Sequence, residues 1–426
     1  MRSFLASVSA VMAAVLSALA QPPLTLAQAR QIAFEKNWDL LAAKSGIDSA
    51  IAQLIAAKEF PNPSASLSTA YIGASRNATV VGNGLWERSY DTIFAVSQLI
   101  EIAGKRHDRQ MAGRAGVIGA KARFYDAKRT LDQGVTKAYI AAPLAENNTR
   151  ILNESSRLLR HEADIAQARF KAGDISDSDK KQIEINAEQF ALRARTAETA
   201  MTQARIAVEV LMGEANPAGS YVSQESIESL AQLPAAGAES GGTRPDILAA
   251  EADARGARAN LQLQKALRIP DPTFQIEYQH QPPGGGPPVD TFGFGVSFPL
   301  PLWNLNGGNI KAAQANVDQL EFAAGKARSQ RAADLAAAQS EYNEARARWL
   351  NYRDQTAPKS ARVREAVAFA YEKGGASLVD LLDAERTDND VRLAAIQAMS
   401  DTAGAVADMA AARNVVTEAA LQKRPY

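Results

Sequence analysis

The chain has 426 residues, with 47 basic and 47 acidic side chains, three histidines and no cysteine. The zero net charge argues against nucleic acid as a partner, because that affinity depends on clustered Lys and Arg. The absence of cysteine excludes a disulfide scaffold, a thiolate metal site and the lipid anchor of a bacterial lipoprotein. Length alone suggests about three domains, but two repeats describe the chain better.

The N-terminus has the pattern of a secretory signal peptide over residues 1–20. Arg2 precedes an uncharged run that ends in the small-x-small site Ala18-Leu19-Ala20. An uncleaved membrane anchor is the alternative, but the two prolines that follow the run favour cleavage. No later stretch reaches the ~18 apolar residues of a membrane-spanning helix. We therefore expect an exported protein without a transmembrane helix.

A unit of about 200 residues occurs twice in the chain. Phe60-Pro61-Asn62-Pro63 recurs as Ile269-Pro270-Asp271-Pro272, and the spaced residues Phe170, Gly173, Ser176 and Asp179 recur as Tyr371, Gly374, Ser377 and Asp380. We assign repeat 1 to residues 21–213, a linker rich in Gly, Pro, Ser and Ala to 214–243, and repeat 2 to 244–426.

Each repeat is predicted to contain a helix, a β-hairpin and a long helical hairpin. Helical periodicity covers 26–58 and 246–267, and prolines follow both segments. Alternating apolar residues predict strands at about 64–74 and 88–100 in repeat 1, and at about 272–280 and 290–300 in repeat 2. The helical hairpins follow at about 104–213 and 308–414.

The last predicted strand shows the clearest alternation, with large apolar residues at Phe292, Phe294, Val296 and Phe298 and small residues between them. This pattern is typical of a transmembrane β-strand, which has lipid on one side and water on the other. A half-buried strand of a soluble sheet is the alternative. Four strands cannot close a barrel, because the smallest barrels have about eight. If the strands lie in a membrane, several chains must share one barrel.

The first arm of each helical hairpin is exceptionally long. It covers about 66 residues, which corresponds to on the order of 100 Å of helix. Apolar residues at intervals of seven predict coiled-coil packing: Ile151, Leu158 and Ile165 in the outgoing arm, and Ile183, Phe190 and Ala197 in the returning arm. We expect Pro143 and Pro358 to kink or break the long arms.

No constellation in the sequence predicts catalysis, a resident metal or a cofactor. The three histidines are far apart and lack the spacing of metal ligands. Asp174, Asp177 and Asp179 resemble the start of a calcium loop, but the glycine and the closing glutamate of that motif are missing. We therefore expect a protein that is not an enzyme.

Asp380 and Asp383 share one helical face, because they are three residues apart just after the turn at Gly374-Gly375. Two solvated carboxylates near a helix N-terminus are the simpler interpretation. In a symmetric trimer the pair would occur three times around the axis, and a ring of carboxylates around a narrow opening selects for cations. The residues themselves leave both interpretations open.

The signal peptide, the two repeats, the β-hairpins and the long helical hairpins together resemble the TolC family of outer-membrane efflux proteins. The resemblance covers about residues 24–414, and its most specific segments are 97–106, 299–303, 371–374 and 381–386. The Gly104-Lys105-Arg106 segment and the Pro-Leu-Pro-Leu-Trp segment are most similar to the heavy-metal, CzcC-like branch.

The resemblance implies a mainly α-helical fold with a β-barrel part. A homotrimer would form a twelve-stranded outer-membrane barrel on a periplasmic α-helical tunnel, with the linker at the equator of the tunnel. Such a channel is the passive exit duct of a tripartite pump, coupled through a periplasmic adaptor to an inner-membrane RND transporter. The resemblance also implies a Gram-negative outer-membrane location and divalent heavy-metal cations as the substrate.

The resemblance further assigns roles to individual residues. Asp380 and Asp383 match the aspartates that constrict the periplasmic end of the tunnel. The adaptor-docking tips correspond to Gly173, Asp174 and Ser176 in repeat 1 and to Gly374, Gly375 and Ser377 in repeat 2. An arginine that some members carry beside the second tip glycine is replaced by Gly375-Ala376, so the resemblance does not indicate how the closed state is latched.

Two alternative functions are compatible with the sequence. A TolC-like duct for drugs or for type I secretion shares these features, because a duct does not need to recognise its substrate chemically. A secreted soluble coiled-coil protein with a structural or interaction role, whose short strands form a small sheet, is the alternative from another class.

Overall fold

The computed structural model describes residues 23–70, 91–232, 242–281 and 289–414. The predicted signal peptide lies outside these ranges, as do residues 71–74 and 88–90 of the predicted strands. The strands are β1 (Pro23–Leu24), β2 (Ser64–Ala70), β3 (Asp91–Leu99), β4 (Val222–Ser223), β5 (Thr273–Gln281) and β6 (Val289–Ser297). The helices are α1 (Leu26–Lys36), α2 (Trp38–Lys58), α3 (Lys105–Ala172), α4 (Asp177–Leu211), α5 (Ile227–Ala231), α6 (Pro245–Ala266), α7 (Gly307–Asn351), α8 (Ala357–Glu372) and α9 (Leu378–Arg413).

The chain divides into two compact units, and each unit takes segments from both repeats. A helical unit contains the residues up to Lys44, Phe124–Pro245 and the residues from Arg328 onward. A sheet-bearing unit contains Ser45–Arg123 and Asp246–Ala327. The repeats therefore describe the sequence but do not fold as separate bodies. Strand pairing explains the mixing, because β3 of repeat 1 pairs with β5 of repeat 2.

The sheet-bearing unit contains a four-stranded antiparallel sheet with the strand order β2-β3-β5-β6. The register aligns the apolar positions of the four strands on one face, since Leu67 is paired with Phe94 and Phe94 with Tyr278. Tyr278 is in turn paired with Phe292 on β6. β6 ends at Ser297, so Phe298, predicted as a strand residue, lies just past the strand.

The long helix α3 is a single helix of 68 residues that continues through Pro143. Of the kink or break expected there, the break does not occur, although a proline in a helix interior costs about 3 kcal/mol, and the kink stays a prediction. The turn that precedes it is packed in the core, where Tyr139, Ile140 and Ala142 are buried. Tertiary packing of this turn outweighs the lost backbone hydrogen bond.

The second long arm is interrupted close to Pro358, as predicted. Residues Tyr352–Thr356 form a π-helical turn, in which the Ala357 N–H donates to Tyr352 O. Pro358 follows in the first turn of α8. A proline is tolerated in a first turn because its missing N–H would have no intrahelical partner there.

The predicted coiled-coil seam is confirmed in α4 and only in part in α3. Ile183 is buried in α4 and Ile151 in α3, as predicted. Further along α3, Leu158 and Ile165 are exposed, and their C-terminal neighbours Leu159 and Ala166 are buried instead. A heptad count fixes the spacing of an apolar stripe, but where two adjacent rows are both apolar it does not decide which one faces the partner helix.

The helix predicted over 26–58 is two helices, α1 and α2, which are separated at Asn37. The Asn37 backbone is extended, with φ −61° and ψ 127°. Its Oδ1 accepts the Leu40 N–H at 3.0 Å, and its Nδ2 donates to Leu211 O at 2.9 Å. Asparagine is a favourable N-cap, so this one side chain restarts the helix without a proline or glycine.

The described part of the predicted linker, residues 214–232, is folded as part of the helical unit. Strand β4 pairs in parallel with β1, and Ile227 and Leu230 of α5 are buried. The buried Glu209 carboxylate accepts the backbone N–H groups of residues 218–220 at 2.6–2.7 Å. These bonds hold the part of the linker that the structure describes.

Among the described helices, α2 is long and apolar enough to cross a membrane by length and composition. This finding corrects the expectation that no stretch after the signal peptide is so apolar. Asp39, Lys44 and Asp48 lie within α2, and charged side chains are costly in hydrocarbon.

Candidate functional site

The first helical hairpin turns at Gly173, between α3 and α4. Gly173 has φ +84°, a left-handed conformation that glycine adopts readily. The Asp174 N–H donates to Arg169 O at 2.9 Å, which is the long bond of a Schellman C-cap. Ser176 then begins α4, and its Oγ accepts the Asp179 N–H at 3.1 Å.

The second helical hairpin repeats this construction at Gly374, which has φ +77°. Ser377 caps α9, where its Oγ accepts the Asp380 N–H at 3.2 Å and its own N–H donates to Asp380 Oδ2 at 3.0 Å. This reciprocal pair is a capping box. The six predicted tip residues are all exposed: Gly173, Asp174, Ser176, Gly374, Gly375 and Ser377.

The predicted aspartate pair lies on one exposed face of α9. Asp380 and Asp383 line a groove of about 510 Å³ between α8 and α9, with Lys359 among the other lining residues. The side chain and backbone N–H of Ser377 both donate to the Asp380 carboxylate, and these bonds lower the pKa of Asp380. In the part of the chain that the structure describes, neither carboxylate forms an ion pair. Asp380 thus caps a helix and still presents a charge to the groove.

The orientation of the pair follows from the buried leucines next to its members. Leu378 and Leu381 are buried in a cluster with Ala166 and Ile183 from the first hairpin. Because Leu378 and Leu381 face this cluster, Asp380 and Asp383 face away from it. Packing between the two hairpins therefore fixes where the carboxylates point.

The two tips differ in charge, although they occupy equivalent places in the repeats. We call residues 171–182 tip 1 and residues 372–383 tip 2. Tip 1 has three acidic and three basic side chains, whereas tip 2 has three acidic and one basic. In tip 1, Asp177 forms ion pairs with Lys180 at 3.4 Å and Lys181 at 2.6 Å. Tip 2 has leucines in place of these lysines and therefore a net charge of −2.

Sequence reasoning missed a buried polar cluster beyond the aspartate pair. Asp388 of α9 is buried, accepts a hydrogen bond from Ser360 Oγ at 2.7 Å, and lies 3.5 Å from Arg364 Nε. Glu385 faces the same arginine, and burial raises the pKa of Glu385. The cluster joins α8 to α9. A signal was present, because Asp388 follows the buried Leu381 by seven residues and so places a carboxylate at a core position.

No residue that the structure describes covers the apolar face of the sheet. Phe294, on the edge strand β6, is 83% exposed. The same face is continued by exposed residues on all four strands: Leu67, Phe94, Val96, Phe274, Ile276, Phe292 and Val296. The opposite face is mostly small or polar, as at Glu277 and Gly293, although Ile93, Leu99 and Val289 also lie on it. A contiguous apolar face of this kind contacts lipid or another chain.

Among the described residues, no group of three or more His, Asp or Glu side chains is placed to hold a metal ion. Asp380 and Asp383 are two carboxylates on the wall of an open groove. Such a wall attracts cations electrostatically but does not enclose one.

An alternating sheet with an uncovered apolar face, joined to two long helical hairpins, matches the architecture of outer-membrane efflux channels. A family model described as "Outer membrane efflux protein" matches residues 29–214 and 239–415. The chain therefore belongs to the outer membrane efflux protein family, and the resemblance stated from the sequence is confirmed. Family membership also shows that the secreted soluble coiled-coil alternative is wrong.

Individual proteins of this class are similar over nearly the whole chain. The cobalt-zinc-cadmium resistance protein CzcC of Cupriavidus metallidurans is 24% identical over 393 residues, which cover 89% of this chain and 87% of that protein. The solved structure of CusC has a TM-score of 0.76 at 17% identity, over 91% of each chain. The CmeC outer membrane channel of Campylobacter jejuni has a TM-score of 0.71 at 19% identity, over 91% of this chain and 85% of that one.

Proposed function

We propose that this chain forms the outer-membrane channel of a tripartite efflux system and acts as a passive exit duct for divalent heavy-metal cations. The observation that carries the proposal is the uncovered apolar face of the four-stranded sheet. Lipid is the solvent that suits such a face. The edge strands β2 and β6 need partners, because unpaired backbone groups are not tolerated in hydrocarbon. Three copies would pair these edges and close a twelve-stranded barrel.

The assembly is tested by extraction and electrophoresis of the full-length protein. We expect only detergent to release it from the outer-membrane fraction, and unheated samples to migrate as trimers that become monomers on boiling. Phe294→Arg should reduce the trimer, because a cation on the lipid face costs about 2–4 kcal/mol near the bilayer midplane. Gln275→Arg, on the opposite face, is the matched control and should preserve it. A monomer that stays soluble without detergent would contradict the proposal.

Asp380 and Asp383 are proposed to constrict the periplasmic end of the duct. The net charge of tip 2, the exposure of both carboxylates and their place in one groove support this role. In a trimer the pair would be repeated around the axis, and such a ring admits cations more readily than anions.

The exposed turns of both tips are proposed to dock a periplasmic adaptor protein that couples the duct to an inner-membrane RND transporter. The absence of cysteine makes a site-specific test possible. A single cysteine at Asp174 or Gly375 should cross-link to the adaptor with a short cysteine-reactive reagent. A single cysteine at the exposed Arg195, on the shaft of α4, is the control. Cross-linking only at Arg195 would place the adaptor elsewhere.

Heavy-metal cations are proposed as the substrate class because the chain is similar to a cobalt-zinc-cadmium resistance protein. Deletion of the gene should sensitise cells to Co²⁺, Zn²⁺, Ni²⁺ or Cd²⁺, and the wild-type gene should restore resistance. Sensitivity only to organic drugs or dyes would reassign the duct to drug efflux. As a passive duct, the chain is expected to work without catalysis and without a bound cofactor.

A further inference from the structure

A short segment next to the sheet is strongly apolar and exposed. Residues 298–305 follow β6 and read Phe-Pro-Leu-Pro-Leu-Trp-Asn-Leu, without a charged side chain. Trp303 is 93% exposed, and the other large apolar residues, Phe298, Leu300, Leu302 and Leu305, are each more than half exposed. A cluster of this composition on a connection between a sheet and a helix marks a binding surface.

Hydrogen bonds and prolines hold this segment in place. Arg268 Nε donates to Leu305 O at 3.0 Å. Asn306 then adopts a left-handed conformation, with φ +58°, and donates from Nδ2 to Gln264 O at 2.7 Å. Two prolines restrict the backbone of the segment. The apolar side chains are therefore presented by a fixed loop, and their exposure is built into the fold of the sheet-bearing unit.

We propose that residues 298–305, the anchor segment, insert at head-group level into the phospholipid leaflet on the side of the outer membrane where α7 begins. This inference rests on the proposed function, because the leaflet is present only if the sheet spans the membrane. Continuity supports it: Phe298 continues the spacing of Phe294 and Val296 past the end of β6. The anchor segment thus extends the lipid face beyond the last strand residue.

The chemistry of the segment fits the boundary between hydrocarbon and head groups. The Trp303 indole combines an apolar ring with one N–H donor, and tryptophan is enriched at this level of a membrane. Lys265 and Arg268, both exposed, are near the end of α6, and Arg268 contacts the segment directly. Basic side chains beside an apolar anchor attract lipid phosphates. Contact with a neighbouring copy of the chain, as an alternative to lipid, would not explain why a tryptophan and an arginine lie side by side here.

The corresponding part of repeat 1 also exposes apolar side chains, Ile100 and Ile102, but it has no tryptophan and contains a charged residue. Ile100, Ile102 and Ala103 stand where repeat 2 has Leu300, Leu302 and Trp303. Glu101, within that stretch, forms an ion pair with Arg109. The anchor segment is thus specific to repeat 2, and an assembly of three copies would carry three tryptophans around the rim.

Depth-dependent quenching of tryptophan fluorescence tests the proposal. The full chain is made with Trp303 as its only tryptophan, through Trp38→Phe, Trp86→Phe and Trp349→Phe, and is reconstituted in phosphatidylcholine vesicles. Phosphatidylcholines brominated near the head group should remove most of the Trp303 emission, and lipids brominated deep in the chain should remove much less. A variant that keeps only Trp38 is the control and should respond to neither lipid.

Single-channel recording on the same vesicles distinguishes failure of the anchor proposal from failure of the proposed function. If channels form and Trp303 is quenched most by the shallow bromine, the anchor is supported. If channels form and Trp303 is quenched only by aqueous iodide, or by nothing because a second copy covers it, the anchor proposal is overturned while the channel stands. If no channels form, the proposed function fails and the anchor fails with it.

Discussion

Tip 1 and tip 2 have the same backbone construction and different chemistry. Both turn at a left-handed glycine and both begin the next helix at a serine cap. Tip 1 pairs Asp177 with two lysines on its own surface. Tip 2 replaces one of these lysines with the buried Leu381. The leucine at this position removes a compensating positive charge, and its burial also anchors the helix that carries Asp380 and Asp383.

The largest expected effect is on conduction. Replacing both Asp380 and Asp383 with alanine should raise single-channel conductance several-fold and weaken block by multivalent cations, because the carboxylates narrow and charge the opening. Planar-bilayer recording with added Co²⁺ measures both quantities. The matched control is Asp177→Ala with Asp179→Ala in tip 1, which should change neither. Unchanged conductance and block in the tip 2 variant would remove the pair from the gate.

The next effect is on the packing of tip 2. Leu381→Ala removes a fully buried side chain, and such substitutions cost about 2–5 kcal/mol. Hydrogen exchange of the first turns of α9 should accelerate accordingly. Lys180→Ala is the equivalent change in tip 1 and should cost less, because it removes an ion pair with the exposed Asp177 and a cation–π contact with Phe170, not a buried apolar side chain. Equal acceleration at the two tips would show that Leu381 does not anchor α9.

A smaller difference is expected at the two serine caps. Ser377→Ala should destabilise the start of α9 by about 1 kcal/mol, because it removes an N-cap. Ser176→Ala should cost less, since Ser377 Oγ also donates a hydrogen bond to Asp380 Oδ2 at 2.7 Å, which the substitution in tip 2 removes as well. Local hydrogen exchange again measures both. A larger loss at Ser176 would contradict the structural difference between the caps.

The smallest effect concerns pH and salt. Lys181 and Lys180 lower the pKa of Asp177, while hydrogen bonds from Ser377 lower the pKa of Asp380. Both contributions to folding are present above the ordinary aspartate pKa of about 3.9 and are lost as pH falls through the lowered value. At about 1 M salt, where the Debye length is near 3 Å, the contribution of Asp177 should weaken more than that of Asp380. Equal salt sensitivity of the two tips would contradict the view that ion pairs stabilise the Asp177 carboxylate and hydrogen bonds from Ser377 stabilise the Asp380 carboxylate.

The general architecture could be predicted from the sequence because its signals are long and periodic. The β-hairpins follow from alternation that repeats over several residues, as at Phe292 and Phe294, and the helical hairpins from apolar residues at intervals of seven, as at Ile183 and Phe190. The turn glycines Gly173 and Gly374 were also visible, because the same spacing occurs in both repeats. These features depend on local pattern, which a sequence carries directly.

Other features depend on tertiary contacts that no local pattern reveals. The break at Asn37 requires Leu211, which is distant in the sequence. The intact helix at Pro143 requires the packed core around Tyr139. The buried Asp388 is explained only by Ser360 and Arg364 on another helix. In the candidate site, the sequence indicates the aspartate pair, whereas the capping bond of Asp380 depends on geometry that only the structure shows.

The reversal potential across a bilayer in a KCl gradient tests most directly whether tip 2, and not tip 1, sets the selectivity of the duct. Wild-type channels should favour K⁺ over Cl⁻. Replacing Asp380 and Asp383 with asparagine should move the reversal potential toward zero, whereas replacing Asp177 and Asp179 with asparagine should leave it unchanged. The same reversal potential in all three proteins, or a shift only in the tip 1 variant, would contradict the proposed acidic gate.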